Sequence, residues 1–288
     1  MTLTEMRRWI ADHDLRLTKS LGQNFLHDGN QLRRIIQAAE LVPPGPVLEI
    51  GPGLGPLTEL LLGAGCPVMA IEMDQRLVSI LQKRFADQPG LTLVHGDALE
   101  VLRKSAVDWT DFKVVANLPY SVGSPLLVDI ALRPTAPSLI VVTLQLEVAQ
   151  RIRAKESTPE YGLLSLLLGW RYTAESSFRI PASCFFPPPE VDSACIRLRR
   201  RPTPLVEGER IDRFLQIVRQ AFSQRRKMMW KLLRPLWPEE VLAGAFRTAG
   251  IPREARAEAV SLEQFVALAH QLPAIGSPSV SSIEASAH

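Results

Sequence analysis

The stretch Val47-Leu48-Glu49-Ile50-Gly51-Pro52-Gly53-Leu54-Gly55 constrains this chain more than any other: an apolar run ends in three glycines at alternate positions, and a helix-like segment, Pro56 to Leu62, follows at once. Glycine lets the backbone turn sharply and approach a ligand closely, and the next helix N-terminus offers unpaired N–H groups. Such a turn also serves as a plain tight connection, so its meaning depends on context. The spacing is GxGxG, not the GxGxxG of dinucleotide enzymes, which favours a ligand lacking a pyrophosphate.

Short Val/Ile/Leu-rich runs recur at Val47–Ile50, Val68–Glu72, Leu91–Val94, Lys113–Asn117 and Ser138–Leu144, separated by segments long enough for helices. Leu77, Ile80, Leu81 and Phe85 form one helical stripe, after Asp74. Beyond an N-terminal arm, Leu32, Ile35, Ile36 and Ala39 predict a helix over Asp28 to Leu41, with Asp28 placed to cap it and Pro43-Pro44-Gly45 ending it. Strand alternating with helix at this interval predicts an α/β fold with a parallel sheet covered on both faces. The pattern changes after a last strand-like run, Ala194–Leu198. From Ile211 to Leu233 apolar residues recur at helical spacing, with Ser223-Gln224 placed to split the run, and Glu239–Ala249 and Ser261–Leu272 read as further helices. The expected organisation is a large domain over 1–201, a small all-helical domain over 202–273 and a loose tail over 274–288.

The 288 residues are 46% hydrophobic and 22% charged, which excludes a largely disordered, collagenous or membrane protein. The apolar runs fall short of the roughly 18 residues of a membrane span, and the N-terminus is too evenly charged for a signal peptide. Cys66, Cys184 and Cys195 lie far apart with no CxxC spacing, so no metal site is expected, and a cytoplasmic location fits. The net charge of +3 hides an uneven distribution, because Arg197 to Arg234 carries 12 Lys/Arg against 3 Asp/Glu. That local excess points to a polyanion partner, the plain alternative being a solvated helix face.

Three further features fall at strand ends. Glu72 closes the second strand, where an acid accepts hydrogen bonds from both hydroxyls of a ribose and repels a 2′-phosphate. Asp97, in His95-Gly96-Asp97, is placed to accept from an adenine amino group, or to cap a helix. Asn117-Leu118-Pro119-Tyr120 ends the fourth strand at the carboxyl edge where open α/β sheets bind ligands. The Asn117 oxygen and the Leu118 or Pro119 carbonyl can accept from an NH₂ group, and Tyr120 can stack on a base; the alternative is an Asn-Pro turn with a core tyrosine. Phe185-Phe186-Pro187-Pro188-Pro189 forms a rigid turn, and one of its rings is placed to make a second wall of a base pocket.

Together these residues resemble the ribosomal RNA adenine dimethyltransferase family, most closely its bacterial branch acting on 16S rRNA. The matches run in order through Leu21-Gly-Gln23-Asn24-Phe25-Leu26, Glu49-Ile-Gly51-Pro-Gly53-Leu-Gly55, Ile71-Glu72, Gly96-Asp97-Ala98, Asn117-Leu118-Pro119-Tyr120, Glu147-Val148-Ala149-Gln150-Arg151, Phe185 with Pro187-Pro188-Pro189, Val191-Asp192-Ser193 and Phe222-Ser-Gln224-Arg225-Arg226-Lys227. The resemblance implies a Rossmann-like methyltransferase sheet and a small helical domain. It implies S-adenosyl-L-methionine as methyl donor and S-adenosyl-L-homocysteine as product, held by Gln23, Asn24, Leu26, Gly51, Gly53, Glu72, Met73, Asp97, Ala98 and Asn117. It implies a methyl-acceptor site at Asn117, Leu118, Pro119, Tyr120 and Phe185, RNA contacts from Arg225, Arg226 and Lys227, and action as a monomer on two adjacent adenines of 16S rRNA in the assembling small subunit. Glu190, where the family often has Lys, Phe186, and the apolar Met228-Met229-Trp230 depart from the pattern.

Methyl transfer from a sulfonium to an amine is an in-line displacement that needs no metal and no covalent intermediate, so no catalytic base or triad is expected. His27 and His95 need no catalytic role. A nicotinamide oxidoreductase would share the sheet but leaves Asn117–Tyr120 without a purpose. A non-catalytic RNA-binding factor would not need Gly51, Glu72 and Asp97. A sister enzyme acting on large-subunit rRNA would share the cofactor residues.

Overall fold

The computed structural model describes residues 1–15 and 23–274, and the chain divides into two compact units. Leu21 and Gly22 of the family motif, and the tail from residue 275 on, lie outside the described residues. The first unit comprises Met1–Gln150 and Tyr172–Arg201; the second takes Arg151–Arg171 and the chain from Pro202 on.

In chain order the first unit runs α1 (Leu3–Asp12), β1 (Phe25–Leu26), α2 (Gly29–Ala38), β2 (Val47–Ile50), α3 (Pro56–Gly63), β3 (Val68–Glu72), α4 (Gln75–Arg84), β4 (Leu91–His95), α5 (Ala98–Lys104), β5 (Lys113–Asn117), α6 (Gly123–Leu132), β6 (Leu139–Gln145) and α7 (Leu146–Arg153), whose last turn belongs to the second unit. After α8 (Leu163–Gly169) of the second unit, the chain returns with β7 (Tyr172–Ile180), β8 (Phe185–Phe186) and β9 (Ser193–Arg200). Local chemistry sets the helix starts. Asp28 accepts from the Asn30 and Gln31 amides at 2.9 Å, Asp74 from Arg76 and Asp97 from Glu100, each satisfying N–H groups that a first turn leaves unpaired. The N-terminal arm holds a helix that the sequence reading passed over, although Thr2 and Glu5 form a capping box ahead of buried Met6.

The seven-stranded sheet has the order β4-β3-β2-β5-β6-β9-β7. The first five strands are parallel, and β9 and β7 join antiparallel, so the sheet is mixed where a parallel one was expected. The strand β7 escapes a reading by alternation because Thr173, Glu175, Ser176 and Ser177 are polar and a register shift falls between Ala174 and Ser176. From β2 the chain steps outward to β3 and β4, then comes back to place β5 on the other side of β2. This reversal opens a crevice between the carboxyl ends of β2 and β5, the position where such sheets take their ligands.

The second unit is helical, with α9 (Arg210–Ala221), α10 (Met229–Leu233), α11 (Glu239–Thr248) and α12 (Leu262–Gln271) following α8. Phe214, Ile217, Phe246, Phe265 and Leu268 form its buried interior. Residues 151–171, expected in the sheet domain, fold here: the Tyr161 hydroxyl donates to the Val260 carbonyl at 2.8 Å, and its ring meets Phe222 edge-on. The leucine-rich Leu163–Gly169, with Ser165 its one polar side chain, gives no hint in sequence of which core it joins. The expected helical run from Ile211 to Leu233 breaks after α9, where the Ser223 hydroxyl captures the Gln220 carbonyl at 2.7 Å. Arg225, Arg226 and Lys227 therefore sit in an exposed connection and not on a helix.

Candidate active site

The glycine turn leaves β2 through Gly51 (φ +67°), Gly53 (φ +62°) and Gly55 (φ +81°), all in the left-handed region that L-side chains avoid. Space is as restrictive as the torsions. A Cβ on Gly53 would stand 2.8 Å from the Phe25 ring, and one on Gly51 3.3 Å from Pro119 Cδ. The turn thus brings backbone against the neighbouring segments of the crevice, leaving a cavity of about 270 Å³. Its wall includes Gln23, Asn24, Gly51, Gly53, Glu72, Met73, Asp97, Ala98, Asn117, Leu118, Pro119 and Tyr120. Segments separated by nearly a hundred residues meet there because the ends of β2, β3, β4 and β5 share one sheet edge and the chain leading into β1 lies against it, Asn24 bonded to Asn117.

Glu72 is buried, and its carboxylate accepts from the Gly53 amide at 3.1 Å and the Asp74 amide at 2.9 Å. Burial raises its pKa above the ordinary carboxylate value, and the backbone donors at Asp74, Gly53 and Met73 offset only part of that rise. The strand-end acid therefore shapes the glycine turn as well as facing the cavity. Asp74 is held at about 2, chiefly by the Arg76 guanidinium, and also accepts from Gln23 Nε2 at 2.9 Å. Asp97 Oδ1 caps α5, and the residue also lines the cavity. Met73 stands 56% exposed on the rim, and the His95 ring bonds its carbonyl at 3.1 Å, a structural role for that histidine.

At the end of β5, Asn117 Nδ2 donates to the Asn24 carbonyl at 3.0 Å, which fixes the amide's orientation. Its Oδ1 is buried and has no donor among the described residues. An unpaired buried acceptor costs about 1–3 kcal/mol, so its presence in a cavity wall calls for a ligand donor. The Pro119 carbonyl, expected as a second acceptor, already takes the Val122 and Gly123 amides at 3.2 Å. The Leu118 carbonyl receives no such bond among the described residues, while the Leu118 amide is anchored on Thr143 at 3.0 Å. Tyr120 lines the cavity with its hydroxyl hydrogen-bonded to Ser193.

Two expected members do not line the cavity. Phe185 is 2% exposed and packs into the core, and Leu26 opposite it in the β1–β8 pair is equally buried. Their place is structural: the pair holds β1, and with it Gln23 and Asn24, against the crevice. Phe186 is the half-buried ring of the two and lies under the Arg7 guanidinium.

The sequence reading gave no role to Glu49. It is 1% exposed, accepts from the Thr58 hydroxyl at 2.7 Å, and burial pushes its pKa from the ordinary 4.5 up to about 8; nearby Glu72 adds to this and Arg84 opposes it. Over that interval the unfolded chain has lost a proton that the folded protein keeps, so rising pH weakens the fold. Glu49→Gln should unfold at a higher temperature than the parent at about pH 8, with the gap shrinking towards about pH 5. A gap independent of pH in thermal melts would mean that Glu49 is ionised in the fold.

A model of the family described as ribosomal RNA adenine dimethylase matches residues 15–273. The chain belongs to this family. Ribosomal RNA small subunit methyltransferase A of Clostridium perfringens is 38% identical over 261 residues, covering 90% of this chain and 92% of that one. The 23S rRNA methyltransferase ErmE is similar in structure, with a TM-score of 0.67 and 30% identity over 86% of this chain and 99% of its own. A dimethyladenosine transferase from Plasmodium falciparum shares the fold at a TM-score of 0.70 and 24% identity, over 85% of this chain and 95% of that one. As a ribosomal RNA adenine dimethylase, the protein is an enzyme that methylates rRNA adenines with S-adenosylmethionine.

The cavity of this dimethylase suits that methyl donor. The glycine turn admits no side chain, Glu72 retains acceptor capacity for hydroxyls, and Asn117 offers an unpaired oxygen. Among the described residues there is no group of three or more His, Cys, Asp or Glu able to hold a metal, and no helix long and apolar enough to cross a membrane. The basic excess divides in two. Arg197 and Arg199 of β9 pair with Glu40 and Glu175, and Arg200 donates to backbone carbonyls, so these cations are engaged within the sheet unit. In the helical unit Arg225, Arg226 and Lys227 are exposed, with Arg225 3.5 Å from Glu258.

Proposed function

We propose that the protein dimethylates the N6 amines of two adjacent adenines near the 3′ end of 16S rRNA in the assembling small ribosomal subunit, acting as a cytoplasmic monomer and releasing S-adenosylhomocysteine. The observation that carries the chemistry is the buried Asn117 Oδ1, without a donor among the described residues, in the wall of a cavity that Tyr120 also lines. The choice of the small subunit rests on the relative from Clostridium perfringens, which is more similar in sequence than the 23S rRNA enzyme.

When bound, S-adenosylmethionine supplies a methyl group on a positively charged sulfur. Glu72 would accept from its ribose hydroxyls and Asp97 from its adenine amine, and Gly51, Gly53, Met73 and Ala98 would shape the site beside Gln23 and Asn24. The target adenine leaves its stack and lies on Tyr120, a contact of about 1–3 kcal/mol. In the first transfer its amine donates one N–H to Asn117 Oδ1 and the other to the Leu118 carbonyl; the monomethylated amine keeps a single N–H, which donates to Asn117 Oδ1 in the second. Those two acceptors favour a pyramidal nitrogen and aim its lone pair at the methyl carbon, a positioning effect worth up to about 7–11 kcal/mol. The proton lost from the nitrogen passes to water, so no protein base takes part.

The test is methylation of undermethylated small subunits in vitro, followed by mapping of the modified bases. Dimethylation of two adjacent adenines near the 3′ end is expected; modification of large-subunit rRNA instead would assign the protein to the other substrate. Arg225, Arg226 and Lys227 are proposed to meet rRNA phosphates. Replacing all three with Ala should flatten the salt dependence of subunit binding by about 2 logarithmic units per decade, at about 0.7 per phosphate contact. S-adenosylmethionine affinity should stay unchanged. An unaltered slope would leave these residues as an ordinary solvated surface.

A further inference from the structure

The run Val191-Asp192-Ser193 matches the family pattern, yet none of its residues lines the cavity. Ser193 is fully buried at the start of β9, paired with Gln145 of β6 on one side and Ile180 of β7 on the other. Its hydroxyl hydrogen-bonds the Tyr120 hydroxyl. Asp192, one residue earlier, accepts from the Ala182 amide at 2.9 Å and from Arg179 Nε at 2.5 Å, and its carbonyl takes the Leu146 amide at 3.0 Å. Ala182 opens the turn into β8, so consecutive residues fasten Tyr120 on one side and the β8 segment on the other.

A phenylalanine would stack on a base as well as a tyrosine does, so a phenol at position 120 answers to something besides stacking. Tyr120 follows β5 in an irregular stretch before α6, outside the paired strands of the sheet. Ser193 projects from between two paired strands, a rigid place from which to hold that ring. Burial raises the phenol pKa, which keeps its proton available to the bond.

We infer that Ser193 is a positioning residue for methyl transfer: its hydroxyl sets the angle of the Tyr120 ring, and through it the angle of the adenine against the donor. The inference rests on the reading of Tyr120 as the stacking wall. It differs from a packing role because its whole effect on rate must run through one phenolic oxygen.

A double-mutant cycle with Ser193→Ala and Tyr120→Phe tests this, with Tyr120→Ala as reference, by single-turnover methylation of small subunits at saturating RNA and S-adenosylmethionine. Each single variant should be slowed about tenfold, the size of one lost hydrogen bond, and the double variant should be no slower than either. Cofactor affinity, measured by calorimetry, should stay within about twofold. Independent, multiplying effects would overturn the proposal, as would full activity of Tyr120→Phe. Severe loss in Tyr120→Ala with both conservative variants fully active would sink the Ser193 role and leave the stacking reading standing. Full activity of Tyr120→Ala would sink the stacking reading itself.

Discussion

Asn117→Ala should slow methyl transfer by about 10²–10³-fold, the cost of losing an oriented acceptor at a reacting centre, while S-adenosylmethionine affinity moves by less than about tenfold, or 1.4 kcal/mol. The asymmetry follows from the two ends of the side chain. Nδ2 donates to the Asn24 carbonyl, so its loss loosens one wall residue of the cofactor site and leaves the glycine turn and Glu72 in place. Oδ1 has no donor among the described residues, so its loss is felt when an amine has to be held and aimed. Single-turnover rates set against calorimetric affinities separate the two. Full activity in a folded variant would mean that the amine is held without Asn117, leaving the Leu118 carbonyl as its acceptor.

The part of the cavity wall made by the glycine turn and the strand ends was legible because it depends on backbone conformation and strand ends, which sequence encodes locally. Alternating glycines mark left-handed torsions, and an acid closing an apolar run marks a strand end, so Gly51, Gly53, Glu72, Asp97 and Asn117 could be placed on one sheet edge before any coordinates. What failed depends on contacts between distant segments. Phe185 and Phe186 are adjacent aromatics in a proline-rich turn, and only the pairing of β8 with β1 decides that Phe185 turns into the core. Nothing near Pro119 reveals that its carbonyl is taken by the first turn of α6. Residues 151–171 read as part of the sheet domain because Leu163–Gly169 is nearly all leucine, Ser165 apart, and specifies burial without a partner. The hydroxyl bond between Tyr120 and Ser193, 73 residues apart, lies beyond any local pattern.

Glu72→Ala should weaken S-adenosylmethionine binding by more than about 100-fold, the loss of two hydrogen bonds to a charged acceptor at about 1.5–3 kcal/mol each. From sequence alone a strand-end acid contributes little to the fold, and the variant would be expected to melt like the parent. The structure argues otherwise: both carboxylate oxygens hold amides of the cofactor loops, at Gly53 and Asp74. Removing them strands two donors and should cost about 1–3 kcal/mol of stability each. Weaker binding in Glu72→Ala therefore has two sources, a lost ribose contact and a loosened turn. A ligand change separates them. The parent should bind S-adenosylmethionine more tightly than its 2′-deoxyribose analogue, and Glu72→Ala should bind the two alike, because the group that reads the hydroxyl is gone. A loosened turn alone would weaken both ligands equally and preserve their ratio. Preserved discrimination in the variant would show that another group holds the ribose, and would confine Glu72 to the architecture of the glycine turn.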